Sequence, residues 1–190
     1  MINDPGHAST IAARRAVAFA RRPAEDTAMA TANDILVHSL ETSQKLLNSY
    51  VADLTPQDYL HRTSPQANCA AWILGHLILS DHGALKGLGV ANVPEPPAGF
   101  AQRFAREGEA PKAQDFGDVT ALLPLFNQLR QRLIDHTRSM SEAEINKPLE
   151  KPHRLFSTVG QRINFMAFHV TMHAGQITLI RRSLGKPPLV

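Results

Sequence analysis

Four stretches of the chain repeat apolar side chains every three or four residues, which is the spacing of one face of an α-helix. These stretches are residues 32–53, 68–89, 118–139 and 158–184. Asn68 can cap the start of the second stretch, and Gly185 follows the end of the fourth, where glycine suits the turn that ends a helix. Pro148 and Pro152 bound an irregular stretch, and we find no convincing alternation typical of a strand. The pattern therefore predicts an all-α protein.

The connections between the predicted helices indicate how the helices pack. Helices of comparable length favour a four-helix bundle, and the connection at residues 54–67 makes the first two helices antiparallel. The longer segment 90–117 permits a crossover that leaves the second and third helices parallel. Connections of that length are often functional, and this one is a candidate lid. Phe100, Phe104 and Phe116 are poor residues for a solvated loop, so we expect part of it to pack on the bundle.

The first 30 residues differ from the rest of the chain and are expected to form a flexible leader before a bundle domain at residues 31–190. Arginines lie there among alanines, with little apolar periodicity and without the apolar core of a secretory signal. A resemblance to an organelle transit peptide is weakened by Asp4, Glu25 and Asp26. A coding start placed upstream of a natural Met29 is the other interpretation.

Composition limits the classes of partner. The chain has 190 residues, with 20 basic and 17 acidic side chains spread without a basic stripe, so we expect no nucleic-acid partner. No apolar run approaches the about 18 residues needed to span a bilayer, so we expect no membrane association. The single cysteine, Cys69, excludes an intramolecular disulfide and indicates a reducing, cytoplasmic location. A packed small residue is favoured over a catalytic thiol at this position.

Three histidines form the most informative pattern in the chain. His169 and His173 are four residues apart, so they project from one face of the predicted fourth helix and can bind one metal ion. His76 interrupts an apolar run in the second helix, on a predicted inward stripe. The inward stripe of the fourth helix also includes Met172 and Gln176. Three imidazole ligands with an open coordination position are typical of a catalytic metal site.

Hydrogen-bonded core histidines are the alternative interpretation of this pattern. A buried imidazole without a partner costs about 1–3 kcal/mol, and one cation satisfies three inward histidines more easily than separate networks do. His38 could approach the same site. Because Val170, Thr171 and Met172 separate the fourth-helix pair, the glutamate of a zincin metalloprotease is absent. Imidazole ligands suit zinc, nickel, iron and copper alike, and we expect a divalent ion, zinc or nickel first.

Two stretches together resemble a known family. Trp72-Ile-Leu-Gly-His-Leu77 and His169-Val-Thr-Met-His-Ala-Gly-Gln-Ile-Thr-Leu-Ile-Arg-Arg182 are similar to the pattern of the DinB/YfiT-like superfamily, within its DinB-type branch, and the similarity extends over residues 32–188. The resemblance implies an up-down-down-up four-helix bundle with long crossover loops, often a homodimer. It also implies that His76, His169 and His173 bind a divalent metal ion.

The resemblance further implies two kinds of metal-dependent enzyme acting on a small molecule. One is a transferase that uses a low-molecular-weight thiol, and the other is a hydrolase. Gln176, one turn beyond His173, is a candidate for orienting a substrate or a water, with packing or a hydrogen bond between helices as the alternative. A non-catalytic, stress-related bundle that binds a metal or a ligand is the competing hypothesis. The sequence carries no signature that names the substrate.

Overall fold

The computed structural model of the protein describes residues 30–104 and 112–189, and it shows a bundle of four long helices. Along the chain, the helices and strands are α1 (Ala32–Val51), α2 (Pro56–Tyr59), α3 (Ala70–Gly87), α4 (Phe100–Arg103), α5 (Leu122–Ser139), α6 (Glu142–Ile145), β1 (Pro148–His153), β2 (Phe156–Thr158) and α7 (Val159–Ser183). Short 3-10 helices precede α5 at Ala113–Phe116 and Val119–Ala121. The four-helix bundle predicted from the sequence is confirmed, whereas the expected leader lies outside the described residues.

Contacts at the two ends of α1 give the directions of α5 and α7. Near the start of α1, the side chain of Asn33 donates to the carbonyl oxygen of Met140, just beyond the end of α5, at 2.8 Å. At the end of α1, the carbonyl oxygen of Tyr50 accepts from Arg181, near the end of α7, at 2.9 Å. Helix α1 is therefore antiparallel to α5 and parallel to α7.

The direction of α3 follows from its contacts with α7. Arg162, in the first turns of α7, donates to the carbonyl oxygen of Gly83 near the end of α3, while His76 in the middle of α3 meets His169 farther along α7. Helices α3 and α7 are therefore antiparallel, and α3 and α5 run the same way. Neighbouring pairs are α1–α7, α3–α5, α1–α5 and α3–α7. This arrangement is the up-down-down-up bundle.

The described parts of the segment between α3 and α5 pack on the bundle, as predicted. The rings of Phe100, Phe104 and Phe116 are buried and contact one another in sequence, with centroids 4.4 and 5.7 Å apart. The Phe104 ring lies where a Cβ atom on Gly75 would be, so only glycine fits at that position of α3. These rings anchor the segment to the helix that carries His76.

The starts of α3 and α5 differ from the sequence predictions. Helix α5 begins at Leu122 rather than at Asp118, which leaves Pro124 in its first turn, where the missing N–H group would have no partner within the helix. The N-cap residue of α3 is Cys69, not the predicted Asn68, and its side chain makes no capping hydrogen bond. The boundaries shift because the real caps depend on backbone geometry rather than on residue type alone.

A two-stranded hairpin replaces the irregular stretch that was predicted before the last helix. Strands β1 and β2 are antiparallel, with Pro148 opposite Thr158 and His153 opposite Phe156. The side chains of β1 are almost all exposed, so the strand lacks the alternation of apolar and polar residues that would have indicated it. Phe156 attaches the hairpin to α7 through Phe165, with ring centroids 5.3 Å apart.

The length and apolar character of the described helices indicate whether any of them could cross a membrane. None of those within residues 30–104 and 112–189 combines the length and the apolar character needed to cross a bilayer.

Candidate metal centre

The antiparallel packing of α3 against α7 brings three imidazole rings together. The Nε2 atom of His169 lies 3.1 Å from the Nε2 atom of His76 and 3.1 Å from that of His173. His169 and His173 are buried, and His76 is partly buried. The structure thus places all three predicted ligands in one cluster, with the same ring nitrogen of each facing the others.

The spacing of these nitrogens fits a bound metal ion. An ion at about 2.0–2.1 Å from each imidazole nitrogen in a tetrahedral arrangement separates those nitrogens by about 3.3 Å. The observed 3.1 Å is close to that separation, and the ligand atoms of the three residues all lie within 4.8 Å of one another. The three histidines could therefore hold one metal ion, with small adjustments of their side chains.

Gln176 orients one of these rings. Its Oε1 atom lies 3.0 Å from the Nδ1 atom of His173, and because an amide oxygen only accepts, the Nδ1 atom carries the proton and donates. The Nε2 atom of His173 is then left with a lone pair directed at the cluster, which is the form of histidine that binds a metal. A hydrogen bond from His173 to Gln176 thus favours the tautomer whose Nε2 atom can bind a metal.

Aromatic stacking orients the other two rings, and this feature was missed in the sequence. The indole of Trp72 stacks on His76 with centroids 5.0 Å apart and planes 7° from parallel. Phe165 stacks on His169 at 5.7 Å and 12°. Both aromatic residues precede their histidine by four positions, so this spacing was a usable signal. Phe156 of the hairpin contacts the Phe165 ring and extends the apolar surface beside His169.

A buried ion pair lies in the core beneath the cluster. Asp81 on α3 accepts hydrogen bonds from the Nε and Nη2 atoms of Arg130 on α5, each at 2.8 Å, and both side chains are fully buried. Burial raises the pKa of the Asp81 carboxyl, and the Arg130 guanidinium opposes that rise. Arg130 also approaches the carbonyl oxygen of Met166 on α7 at 3.4 Å. This pair therefore fixes the helix that carries His76 relative to both of its neighbours.

Comparison with known protein families identifies the chain. The model of the DinB superfamily matches residues 39–177, which include all three histidines. The chain belongs to the DinB superfamily. This finding confirms the resemblance that the two histidine-containing stretches indicated, while the homodimer implied by that resemblance stays a prediction. No curated protein sequence matches the chain.

Solved structures support the same fold for this DinB superfamily member. A conserved protein from Enterococcus faecalis superposes with a TM-score of 0.62 at 13% identity, covering 81% of this chain and 97% of the other. The colibactin self-resistance protein ClbS, in complex with double-stranded DNA, superposes with a TM-score of 0.56 at 19% identity, covering 79% and 95%. At these identities the likeness concerns the fold alone.

The ClbS complex corrects one sequence-based expectation. The nearly balanced numbers of basic and acidic side chains, and the lack of a basic stripe, predicted no nucleic-acid partner. That exclusion is wrong, because a protein with this bundle is seen in complex with double-stranded DNA. The physical reason is that net charge and its spread along the sequence do not report how a folded surface groups its cations.

The structure of this DinB superfamily member also places other residues that the sequence analysis considered as site or core residues. The side chain of Met172 is 58% exposed and Gln176 is also exposed, so the inward positions predicted for these two residues of α7 are wrong. His38 is exposed on α1 and contacts Thr42, away from the cluster. Cys69 is fully buried, and burial raises the pKa of its thiol. A buried thiol of raised pKa is a poor nucleophile, so packing is the role that the structure supports for Cys69.

Proposed function

We propose that this protein is a metal-dependent enzyme that acts on a small molecule through its three-histidine cluster. The observation that carries the proposal is the convergence of the Nε2 atoms of His76, His169 and His173 from two helices. The reaction is the transfer of a low-molecular-weight thiol to an electrophile, or the hydrolysis of an ester or amide. Gln176 then serves as a positioning residue for a ligand of the metal, rather than as a residue that contacts the substrate.

The donor set indicates which ion the cluster would hold. Three neutral imidazoles of intermediate softness suit zinc or nickel. Such an ion supplies Lewis acidity, which lowers the pKa of a coordinated water or thiol towards neutrality and so provides a nucleophile. His76, His169 and His173 would occupy three coordination positions, which leaves at least one position for the nucleophile.

The side chains around the cluster contribute orientation and exclusion of water. Trp72 and Phe165 hold two of the imidazole rings by stacking, and the hydrogen bond from His173 to Gln176 holds the third. Apolar rings on both sides of the cluster lower the local dielectric, which strengthens the electrostatic effect of a bound cation on a substrate. An apolar, electrophilic small molecule is the substrate class that fits such walls.

Turnover measurements test the proposal. Purified protein loaded with zinc or nickel is assayed against panels of electrophiles and esters, with and without a low-molecular-weight thiol. We expect metal-dependent turnover that the substitution His173→Asn abolishes and that the substitution His38→Asn, at an exposed histidine of α1, leaves unchanged. Absence of metal-dependent turnover across both panels, in protein that holds one ion per chain, would contradict the enzymatic proposal.

A non-catalytic bundle that binds a metal or a ligand is the second candidate. It is favoured by the composition of the cluster, since in residues 30–104 and 112–189 no carboxylate joins the three histidines to serve as a general base. Ligand-dependent stabilisation without chemical conversion would support this second candidate over the enzyme.

A further inference from the structure

A groove of about 740 Å³ lies at the end of the bundle where α7 begins. Its walls come from the ends of α3 and α5, from α6, from the hairpin and from the first turn of α7. None of the three clustered histidines lines it, and Arg162 in its wall is seven residues before His169, about 10 Å along the helix axis. The groove is therefore a separate feature from the candidate metal centre.

A partly buried guanidinium is the main polar group of this groove. Arg162 crosses from α7 to α3, where the glycine at position 87 leaves room for its guanidinium. Its Nη2 atom donates to the carbonyl oxygen of Gly83 at 2.9 Å, and within the described ranges this is its one hydrogen bond and no carboxylate pairs with it. The other N–H groups of Arg162 are available to a ligand. Burial lowers the pKa of Arg162, because the guanidinium is partly withdrawn from water.

Further positive charge surrounds this guanidinium. Lys151 on β1 and Lys147 just before that strand are both exposed in the wall of the groove. The N-terminal end of α7 carries no acidic residue in its first turn, so the partial positive charge of this long helix adds to the potential of the groove, although the N–H group of Val159 itself donates to the carbonyl oxygen of Lys147.

Two carboxylates also line the groove, and neither neutralises Arg162. The Glu144 carboxylate accepts hydrogen bonds from the backbone nitrogen and the hydroxyl of Ser141, both at 2.7 Å, in the capping box of α6. Glu150 is exposed on β1. Hydrogen bonds from Ser141, together with the nearby charges of His136 and Lys147, lower the pKa of the Glu144 carboxyl. Neither carboxylate pairs with Arg162 in the described part of the chain, so the Arg162 guanidinium is the cation left for a ligand.

We propose that this groove binds a small molecule that carries a phosphate or carboxylate group, with Arg162 as its principal anchor. The planar guanidinium presents paired N–H donors that match the two oxygens of such a group, and Lys147 and Lys151 contribute charge at the rim. The apolar side chains of Leu149 and Phe156 in the same walls would contact the remainder of the ligand. The proposal does not depend on metal binding by the three histidines.

Calorimetric titration of the full chain tests this site. Inorganic pyrophosphate and succinate are the two small-anion probes, a short DNA duplex is the third, and each is titrated into metal-free and into zinc-loaded protein. We expect saturable binding of one small anion per chain to the metal-free protein, and the zinc-loaded protein should retain this site beside any anion that the ion itself coordinates. We expect Arg162→Gln to weaken binding to the metal-free protein by at least about tenfold, because a charge-assisted hydrogen bond is lost. Lys45→Gln, at an exposed position of α1, is the matched control and should change nothing.

A second variant keeps the test decisive if Arg162→Gln disturbs folding, as circular dichroism would show. The double substitution Lys147→Gln and Lys151→Gln changes only exposed side chains, and it should weaken binding several-fold and reduce its dependence on salt. The proposal is overturned if neither small anion binds, if binding requires zinc, or if Lys45→Gln weakens binding as much as the groove variants do. Binding of the duplex alone would equally overturn it, in favour of a nucleic-acid site.

Discussion

Asp81 and Arg130 form a bidentate ion pair that is completely buried between α3 and α5, and the guanidinium also reaches the backbone of α7. Asp81 is five residues beyond His76 on the same helix, whereas Met166, whose carbonyl oxygen the guanidinium approaches, is three residues before His169. One ion pair thus ties together the two helices that carry the histidine cluster. Its contribution is to fix their relative position, since buried pairs add little net stability compared with apolar residues.

Removing one partner of this pair should be strongly destabilising. Arg130→Met leaves the Asp81 carboxylate buried without its cation, and we expect the free energy of unfolding to fall by about 3–5 kcal/mol. Urea denaturation measures the change. Arg138→Met, at an exposed arginine of the same helix that forms surface ion pairs, is the control and should cost less than about 1 kcal/mol. Equal effects of the two substitutions would contradict the structural role given to the buried pair.

Removal of the metal ion should lower thermal stability. An ion that binds only the folded protein, at a free concentration of 100 times its dissociation constant, stabilises by about 2.7 kcal/mol. For a chain of this size we expect chelation to lower Tm by roughly 5–10 °C. Differential scanning calorimetry with and without chelator tests this prediction, and in the variant His173→Asn the two curves should coincide. A variant that kept the full chelator response would show that the stabilising ion binds elsewhere.

The hydrogen bond between His173 and Gln176 predicts a role in metal affinity. Gln176→Leu removes the acceptor that keeps the proton on Nδ1, and we expect affinity for zinc to fall by about 10–100-fold. Gln176→Glu retains an acceptor and should keep the affinity at least at the level of the unaltered protein. Competition with a chromogenic chelator measures these affinities, and Gln131→Leu on α5 is the matched control. Unchanged affinity in Gln176→Leu would assign the side chain to packing alone.

The contact between Gly75 and Phe104 predicts that a methyl group added at position 75 displaces the Phe104 ring from α3. In Gly75→Ala the new Cβ atom would overlap the Phe104 ring, so we expect a loss of about 1–3 kcal/mol in the free energy of unfolding. Gly83→Ala on the same helix is the control, because a Cβ atom there meets no other atom within 4 Å. The control should be neutral or stabilising by up to about 1 kcal/mol. Chemical denaturation distinguishes the two, and a destabilised control with an unaffected Gly75→Ala would refute the contact.

The ion pair between Asp53 and Arg181 predicts a dependence of stability on pH. Hydrogen bonds from the Arg181 guanidinium hold the pKa of the Asp53 carboxyl below its usual range. The pair therefore contributes stability above the pKa of the unfolded chain, about 3.9, and loses it as pH falls through the lower folded value. Asp53→Asn should lower Tm by roughly 1–4 °C at pH 7. Thermal melts should show this gap closing as the solution is acidified below pH about 3.9, whereas a gap that stays constant would exclude the linkage.

Local patterns were sufficient for most of the secondary structure and for the identity of the histidines. Apolar spacing located the four long helices. The spacing of His169 and His173 was enough to predict a shared face, because helical geometry alone brings residues four apart together. The strands escaped detection because β1 buries too little to impose an alternating pattern on its side chains.

The sequence by itself determined what depends on neighbours within a turn of helix: the helices, most of their boundaries, and which histidines share a face. Only the tertiary structure decided the contacts between distant segments: His76 against His169, Asp81 against Arg130, and Arg162 against the end of α3. Arg181 shows the difference, since no residue within a turn of α7 indicates its partner, and packing placed it, buried, against Asp53 just beyond the end of α1. Periodicity is a property of one helix, whereas the partner of a buried polar group depends on how several helices pack together.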